Sequence, residues 1–224
     1  MLPGGKMLFD GKQMPKFLTW LQSDGNALVN TDFVLPSRAC EITVIASMLS
    51  ISNADLYFVG SGEPRFDSGI GWCWFGKHSD RQQVIYFGEQ RWWNNPGNMG
   101  NYVGEDFHTI KFSQPVSGEA PILTLDGDIV PISNEGPAGL NEDIGSDPML
   151  IFGVVGRVAG NVRIRQVSVK SPSGKLLCDF RASLSADGLG FYDLVSSKFC
   201  TAEGGDLISG RLITNSNGGG GINA

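Results

Sequence analysis

The 224-residue sequence predicts an all-β protein, two antiparallel sheets packed face to face in one sandwich, and three observations carry that prediction. Its 31 glycines are about twice ordinary usage and lack the every-third period of a collagen. Aromatic residues make up 10% of the chain and charged residues only 18%, so there is apolar area enough to build a core and the composition is not that of a disordered chain. Short apolar runs follow one another between turn signals, while long 3.6-residue periodicity with helix caps is missing. Sandwiches of this kind commonly use about 200–250 residues as a single domain, so one domain is expected.

Residues 1–16, with Pro3, Gly4, Gly5 and Gly11, read as an N-terminal arm, and the sandwich is expected over 17–210. Its strand-like runs start at 17–21 and 27–30, separated by the turn Ser23-Asp24-Gly25. Runs at 41–48, 56–59, 70–75 and 83–87 follow. Trp72 and Trp74 alternate about Cys73, which assigns both indoles to one face as sheet core or intersheet wall. Next come 108–112 and 122–125, the second ended by Asp126-Gly127, a pair that tolerates positive φ and closes a hairpin. Runs at 150–155, 161–170, 175–181, 190–194 and 206–208 complete the series, with Pro172-Ser173-Gly174 and Asp187-Gly188 as turns. Within 161–170 the apolar positions Val162, Ile164, Val167 and Val169 change phase, which predicts a bulge near Gln166 or Val167. Residues 211–224 form a Gly/Asn-rich tail, poor material for a core and better suited to holding a partner.

A net charge of −6 and a pI near 4.9 argue against a nucleic-acid partner, because no basic run exceeds two residues. A local patch around Arg157, Arg163 and Arg165 stays open. No apolar stretch reaches bilayer length, so no membrane insertion is expected. Met1 reads as a translation start, and the segment after it lacks the charged and apolar regions of a classical signal peptide. Cys40, Cys73, Cys178 and Cys200 are widely spaced, and His78 and His108 are isolated. The cysteines therefore read as small hydrophobes in strands rather than zinc ligands, with one structural disulfide as the alternative.

Two blocks resemble a known pattern. Met14 to Phe33 resembles the opening strands of bacterial and phage-encoded concanavalin A-like (laminin-G-like) jelly-roll domains, whose pattern is Leu-x-x-(aromatic)-Ile-x-Ser-x-Gly-x-x-x-Ile-x-Thr. Val162-Arg-Ile-Arg-Gln-Val-Ser-Val-Lys170 and Gly174-Lys-Leu-Leu-Cys-Asp-Phe180 resemble the penultimate strands of that family. Residues 187–199 and Gly204-Gly-Asp-Leu-Ile-Ser-Gly210 fit its close, and 108–112 with 123–130 fit its central hairpin. The resemblance spans residues 15–210 and departs at Asn30-Thr31-Asp32, where relatives usually carry Asp-Thr-Gly, and over 60–106. It implies a concanavalin A-like, two-sheet antiparallel jelly-roll sandwich, which agrees with the reading of the strands themselves.

Some members of this superfold are glucanases whose carboxylates sit at alternate positions of one strand, so that the side chains share a face. Neither Glu-x-Asp-x-Glu nor Glu-x-Asp-x-x-Glu occurs here, and Glu105-Asp106 and Glu142-Asp143 are adjacent pairs that would point to opposite faces. His108 with nearby Asp106 opens an apolar run and reads as structural. No catalytic residue is therefore expected. The binding candidate is the loop-rich segment Gln90 to Tyr102. Trp92, Trp93 and Tyr102 offer aromatic faces for the C–H side of a pyranose, and Asn94, Asn95, Asn98 and Asn101 offer amides for its hydroxyls. Core anchoring or a subunit interface is the competing reading of the same residues. Asn141, Asp143 and Asp147 form an oxygen-rich loop that leaves calcium open as a cofactor, without EF-hand spacing; a solvated acidic loop is the plainer reading.

These readings converge on a non-catalytic, lectin-like module on the surface of a phage virion, acting as fibre, decoration or host adhesion protein. Cell-surface polysaccharide is its expected ligand. Other virion subunits, or a second copy of the chain, are the expected partners of the arm and the tail. Such a protein is made in the host cytoplasm and leaves by lysis; an extracellular or cell-surface location is the alternative. A purely structural virion protein without glycan binding is the second reading, and a glycoside hydrolase the third.

Overall fold

The computed structural model describes residues 8–9, 12–36, 39–49, 55–61, 70–78, 81–87, 90–94, 103–114, 122–134, 146–154, 157–158 and 161–213. Among the described residues all regular structure is β. The first strands are β1 (Leu8–Phe9), β2 (Lys12–Gln13), β3 (Lys16–Phe17), β4 (Leu21–Ser23), β5 (Leu28–Asn30), β6 (Cys40–Met48) and β7 (Asp55–Gly60). They are followed by β8 (Ile70–His78), β9 (Arg81–Phe87), β10 (Gln90–Asn94), β11 (His108–Gln114), β12 (Ile122–Leu125), β13 (Asp128–Val130) and β14 (Ile132–Asn134). The chain continues through β15 (Leu150–Ile151), β16 (Gly153–Val154), β17 (Arg157–Val158) and β18 (Val162–Lys170). It closes with β19 (Leu176–Ser185), β20 (Gly188–Asp193), β21 (Phe199–Glu203) and β22 (Leu207–Ser209).

Antiparallel pairing builds two sheets of a jelly-roll sandwich. One runs β13-β12-β11-β6-β18-β19-β20-β21, with β3 beside β19 and the β4–β22 pair beside the first half of β18. The other runs β14-β10-β9-β8-β7-β15-β5-β21. Strand β21 belongs to both: Phe199 to Thr201 pair with β20, while Ala202 and Glu203 pair with β5. The small β1–β2 and β16–β17 pairs stand apart from the two sheets.

Alternation explains why the first sheet packs as it does. Cys40, Ile42, Val44, Ala46 and Met48 of β6 are buried, and Glu41, Thr43 and Ile45 between them are half-buried. Their cross-strand neighbours Ile110, Phe112, Val167 and Val169 are buried on the same inner face, as are Leu123, Leu125 and Phe180 one strand farther out. Fully buried side chains such as Phe58, Phe112, Phe180 and Ile42 each contribute about 1.5–3 kcal/mol against exposure. The polar residues of β6, β11 and β18 are thereby committed to the outer face.

The predicted turns form where Asp and Gly allow. Asp126 and Gly127 take φ of 52° and 95° and close the β12–β13 hairpin. Asp32 has a φ of 55°, the left-handed conformation that Asp tolerates better than most side chains. The bulge lies one residue before its predicted position: β18 shifts register against β6 between Ile164 and Gln166, leaving Arg165 as the extra residue.

Several element boundaries differ from those the sequence suggests. The 17–21 run breaks into β3 and β4, with Leu18 bridging Leu212 between them. The 175–181 run extends to Ser185 because β20 pairs along its full second half. Segment 90–94, read as loop, is a strand paired with β9 and β14; its sequence Gln-Arg-Trp-Trp-Asn carries no alternation that could reveal it. The sandwich also takes in the first tail residues, since Thr19 N–H donates to the Arg211 carbonyl and Ile213 N–H to the Phe17 carbonyl, each at 2.9 Å.

Candidate functional site

Of the sugar-binding candidates, Trp92, Trp93 and Asn94 occupy consecutive positions of β10. Their backbones lie opposite Ile85, Val84 and Gln83 on one side and Asn134, Ser133 and Ile132 on the other. Asn95, Asn98, Asn101 and Tyr102 lie outside the described residues, as do Asn141 and Asp143 of the oxygen-rich loop. Asp147 is exposed and lines a small recess with Leu35, Ile42, Val59, Ser61 and Met149, of whose side chains only Ser61 adds a further oxygen. Among the described residues no group of three or more His, Cys, Asp or Glu side chains could hold a metal ion.

After residue 102 the chain returns onto the outer face of the first sheet. Val103 bridges Met48 in parallel, and Gly104 N–H donates to the Met48 carbonyl at 2.7 Å. This anchor brings Glu105 and Phe107 to the arginines of β18. Arg163 lies over the Trp20 ring at 4.4 Å from its centroid, and its Nη1 is 3.5 Å from Glu105 Oε1. Its Nε donates to Gln22 Oε1 at 3.4 Å, across the register pair Arg163–Gln22. Arg165, put on this face by the bulge, stacks over Phe107 at 4.3 Å and donates from Nε to the Thr19 carbonyl at 3.1 Å. Each stack is worth about 0.5–1 kcal/mol at an exposed site and, more usefully, holds a flexible side chain in place.

Trp20 is itself fixed by the last strand. A Cβ on Gly210 would lie 2.7 Å from Trp20 Nε1 and would collide with Thr19 Oγ1, so only glycine lets the chain pass this closely. Gly210 N–H then donates to the Trp20 carbonyl at 3.0 Å. Beneath the face, Ser47 is fully buried and pairs in register with Arg163, yet among the described residues its hydroxyl has no hydrogen-bond partner. The arginine pair was legible as an open basic patch, but Trp20, Gln22, Glu105 and Phe107 were not. They come from segments far apart in sequence, and no local spacing unites them.

The other polar clusters do structural jobs. Asp179, buried on β19, accepts from Arg181 Nε at 2.8 Å and Nη2 at 2.9 Å, and from Gln166 Nε2 at 2.9 Å. Asp193 is also buried and accepts the Asp179 N–H at 2.8 Å, the Val195 N–H at 3.1 Å and the Ser196 hydroxyl at 2.6 Å, closing the turn after β20. Glu41 lies 3.4 Å from Lys111 and 3.8 Å from Lys170, an exposed ladder beside a pocket of about 120 Å³ that includes Ser113 and Ser171. His108 does not turn to Asp106; its Nδ1 lies 2.7 Å from Asp126 Oδ2 at the hairpin tip. Cys40, Cys178 and Cys200 are buried free thiols. Burial pushes the Cys40 thiol up to about 12, and burial with the nearby Asp32 and Asp193 charges pushes Cys200 up to about 11. Burial, helped by Asp193, raises Cys178 as well. The thiolate forms needed for nucleophilic or metal chemistry are thus suppressed.

No protein-family model matches the chain, and no curated protein matches it by sequence. Among solved structures it is similar to the mouse laminin alpha1 chain, domains LG4-5, at 12% identity and a TM-score of 0.50. That match covers 81% of this chain and 49% of the laminin structure, so the chain spans about half the length of that neighbour. The likeness supports a laminin-G-like, concanavalin A-like sandwich and, at this identity, bears on the fold alone.

Proposed function

We propose that this protein is a non-catalytic, lectin-like adhesion module that engages surface glycans of a host cell, carried as a fibre, decoration or adhesion protein on a phage virion. One observation carries the reading: Trp20 and Phe107 hold Arg163 and Arg165 on the outer face of the first sheet, with Gln22 and Glu105 beside them. Aromatic rings, an amide and forked cations on one face are groups that hold a saccharide's C–H face and its oxygens. A sandwich supplies the rigid support, and the site needs no moving part.

Binding of wild type and of Trp92→Ala and Trp93→Ala variants to a glycan array and to host cell-wall polysaccharide tests the reading. Wild type is expected to retain a defined glycan set, and loss of that set in at least one variant supports contact through β10. If wild type retains no glycan, the protein is better read as a structural virion component. That second reading has its own observation. Ile208, Leu212 and Ile213 are exposed at 49%, 42% and 51% beside the start of the tail, apolar surface of the kind that subunit contacts cover.

A further inference from the structure

We infer that Arg163 and Arg165 recognise a carboxylate, so that the glycan bound by this face is an acidic one carrying uronate-type groups. The inference rests on the glycan-binding reading above and narrows its ligand class. Three features of the face lead to it. First, Arg165 spends its Nε on the Thr19 carbonyl and its ring-facing side on Phe107, and among the described residues no carboxylate pairs with its terminal nitrogens. A guanidinium held in place in this way is a ready fork for a planar two-oxygen anion.

Second, Arg163 stands two residues away on the same strand and, among the described residues, pairs with Glu105, whose side chain is 82% exposed and 3.5 Å distant. A pair so open to water is weak and is readily exchanged for a ligand carboxylate. Two arginines thus stand close together on a chain whose net charge is −6. Third, the fold commits unusual local structure to this place: the β18 bulge adds Arg165 to the outer face, and Gly210 admits the last strand against Trp20. Under the arginines the Ser47 hydroxyl is buried and has no hydrogen-bond partner among the described residues.

The test compares wild type with Arg163→Gln, Arg165→Gln and Arg165→Lys on an array of neutral, uronate-bearing, sulfated and phosphorylated glycans, with thermal melting as the folding control. Wild type is expected to prefer uronate glycans, and each glutamine variant to lose about tenfold in affinity for them and clearly less for neutral glycans, while still melting as a cooperatively folded protein. Arg165→Lys should fall between, because it keeps the charge and loses the fork. Salt at about 0.5 M should reduce uronate binding and spare neutral binding. Titration of free glucuronate into the labelled protein should shift the Arg165 Nε–Hε resonance. Uronate binding unchanged in both glutamine variants overturns the inference, as does equal loss of neutral and uronate binding in a folded variant. A stronger response to sulfated or phosphorylated glycans overturns the carboxylate assignment. In each of those cases the glycan-binding reading still stands; it fails only if wild type retains no glycan.

Discussion

Asp126 shows how one side chain can serve geometry and charge together. It occupies a left-handed turn position at φ 52°, accepts the Thr109 N–H at 2.7 Å and sits 2.7 Å from His108 Nδ1. Partial burial pushes its carboxyl up, but the His108 hydrogen bond, the Thr109 N–H and the charge of the imidazole outweigh that and hold it below the ordinary aspartate range. A carboxyl lowered by folding adds stability above its unfolded pKa of about 3.9, and that stability is lost as pH falls through the lower folded value. Asp126→Asn removes the charge while keeping a residue that accepts the left-handed turn. Urea midpoints measured from neutral pH downward should show wild type ahead of the variant above about pH 4 and the two converging below it. A gap that stays constant across the range would mean that the carboxylate's charge contributes nothing.

At the scale of elements, the hairpins and the β18 bulge show what local sequence can and cannot specify. Gly127, at φ 95° with open space around its Cα, is there for backbone conformation alone. Gly127→Ala should therefore cost about 1 kcal/mol in chemical denaturation, with no change in the glycan profile, and a Gly127→Asn chain should be milder. Such turns were legible because Asp-Gly encodes its own geometry. The long strands β6 and β18 were legible because one face of each is buried and period two follows. Strand β10 was not, since Trp92-Trp93 interrupts any alternation, and β21 was not, since its residues divide between two partner strands. The arginine face was half legible. Arg163 and Arg165 stand out as a basic pair in an acidic chain. The rings that hold them arrive from Trp20 and Phe107, and only the sheet register brings those together.

Over the whole molecule, two kinds of join hold the sandwich, and each predicts something different. Residues 18–19 and 211–212 pair along the β4–β22 side, where Leu18 bridges Leu212 and Thr19 N–H meets the Arg211 carbonyl at 2.9 Å. A chain ending at Ile213 keeps all of these pairings, so its melting temperature should match that of the full chain. If residues 214–224 hold a partner subunit, sedimentation should show the loss of self-association or of particle binding alone. The second join is internal. Phe152, which follows β15 of the second sheet, packs at 5.9 Å against Phe191 of β20 in the first, and both rings are fully buried. Phe152 reaches this position with φ at 73°, a conformation costly for a bulky residue, and its N–H is tied to the Phe58 carbonyl at 2.9 Å. Burial of the ring offsets that backbone strain. The consequence is an inversion of the usual order for small substitutions. In an ordinary strand glycine is less stable than alanine by about 0.5–1 kcal/mol. At position 152 both variants lose the ring, at a cost of about 3–5 kcal/mol, but only glycine also releases the left-handed strain. Phe152→Gly should therefore unfold at a higher denaturant midpoint than Phe152→Ala, whereas at Phe191, which has no positive φ, the order should be the ordinary one. If alanine proves the more stable variant at both positions, Phe152 stores no strain and the sheets are held by burial alone.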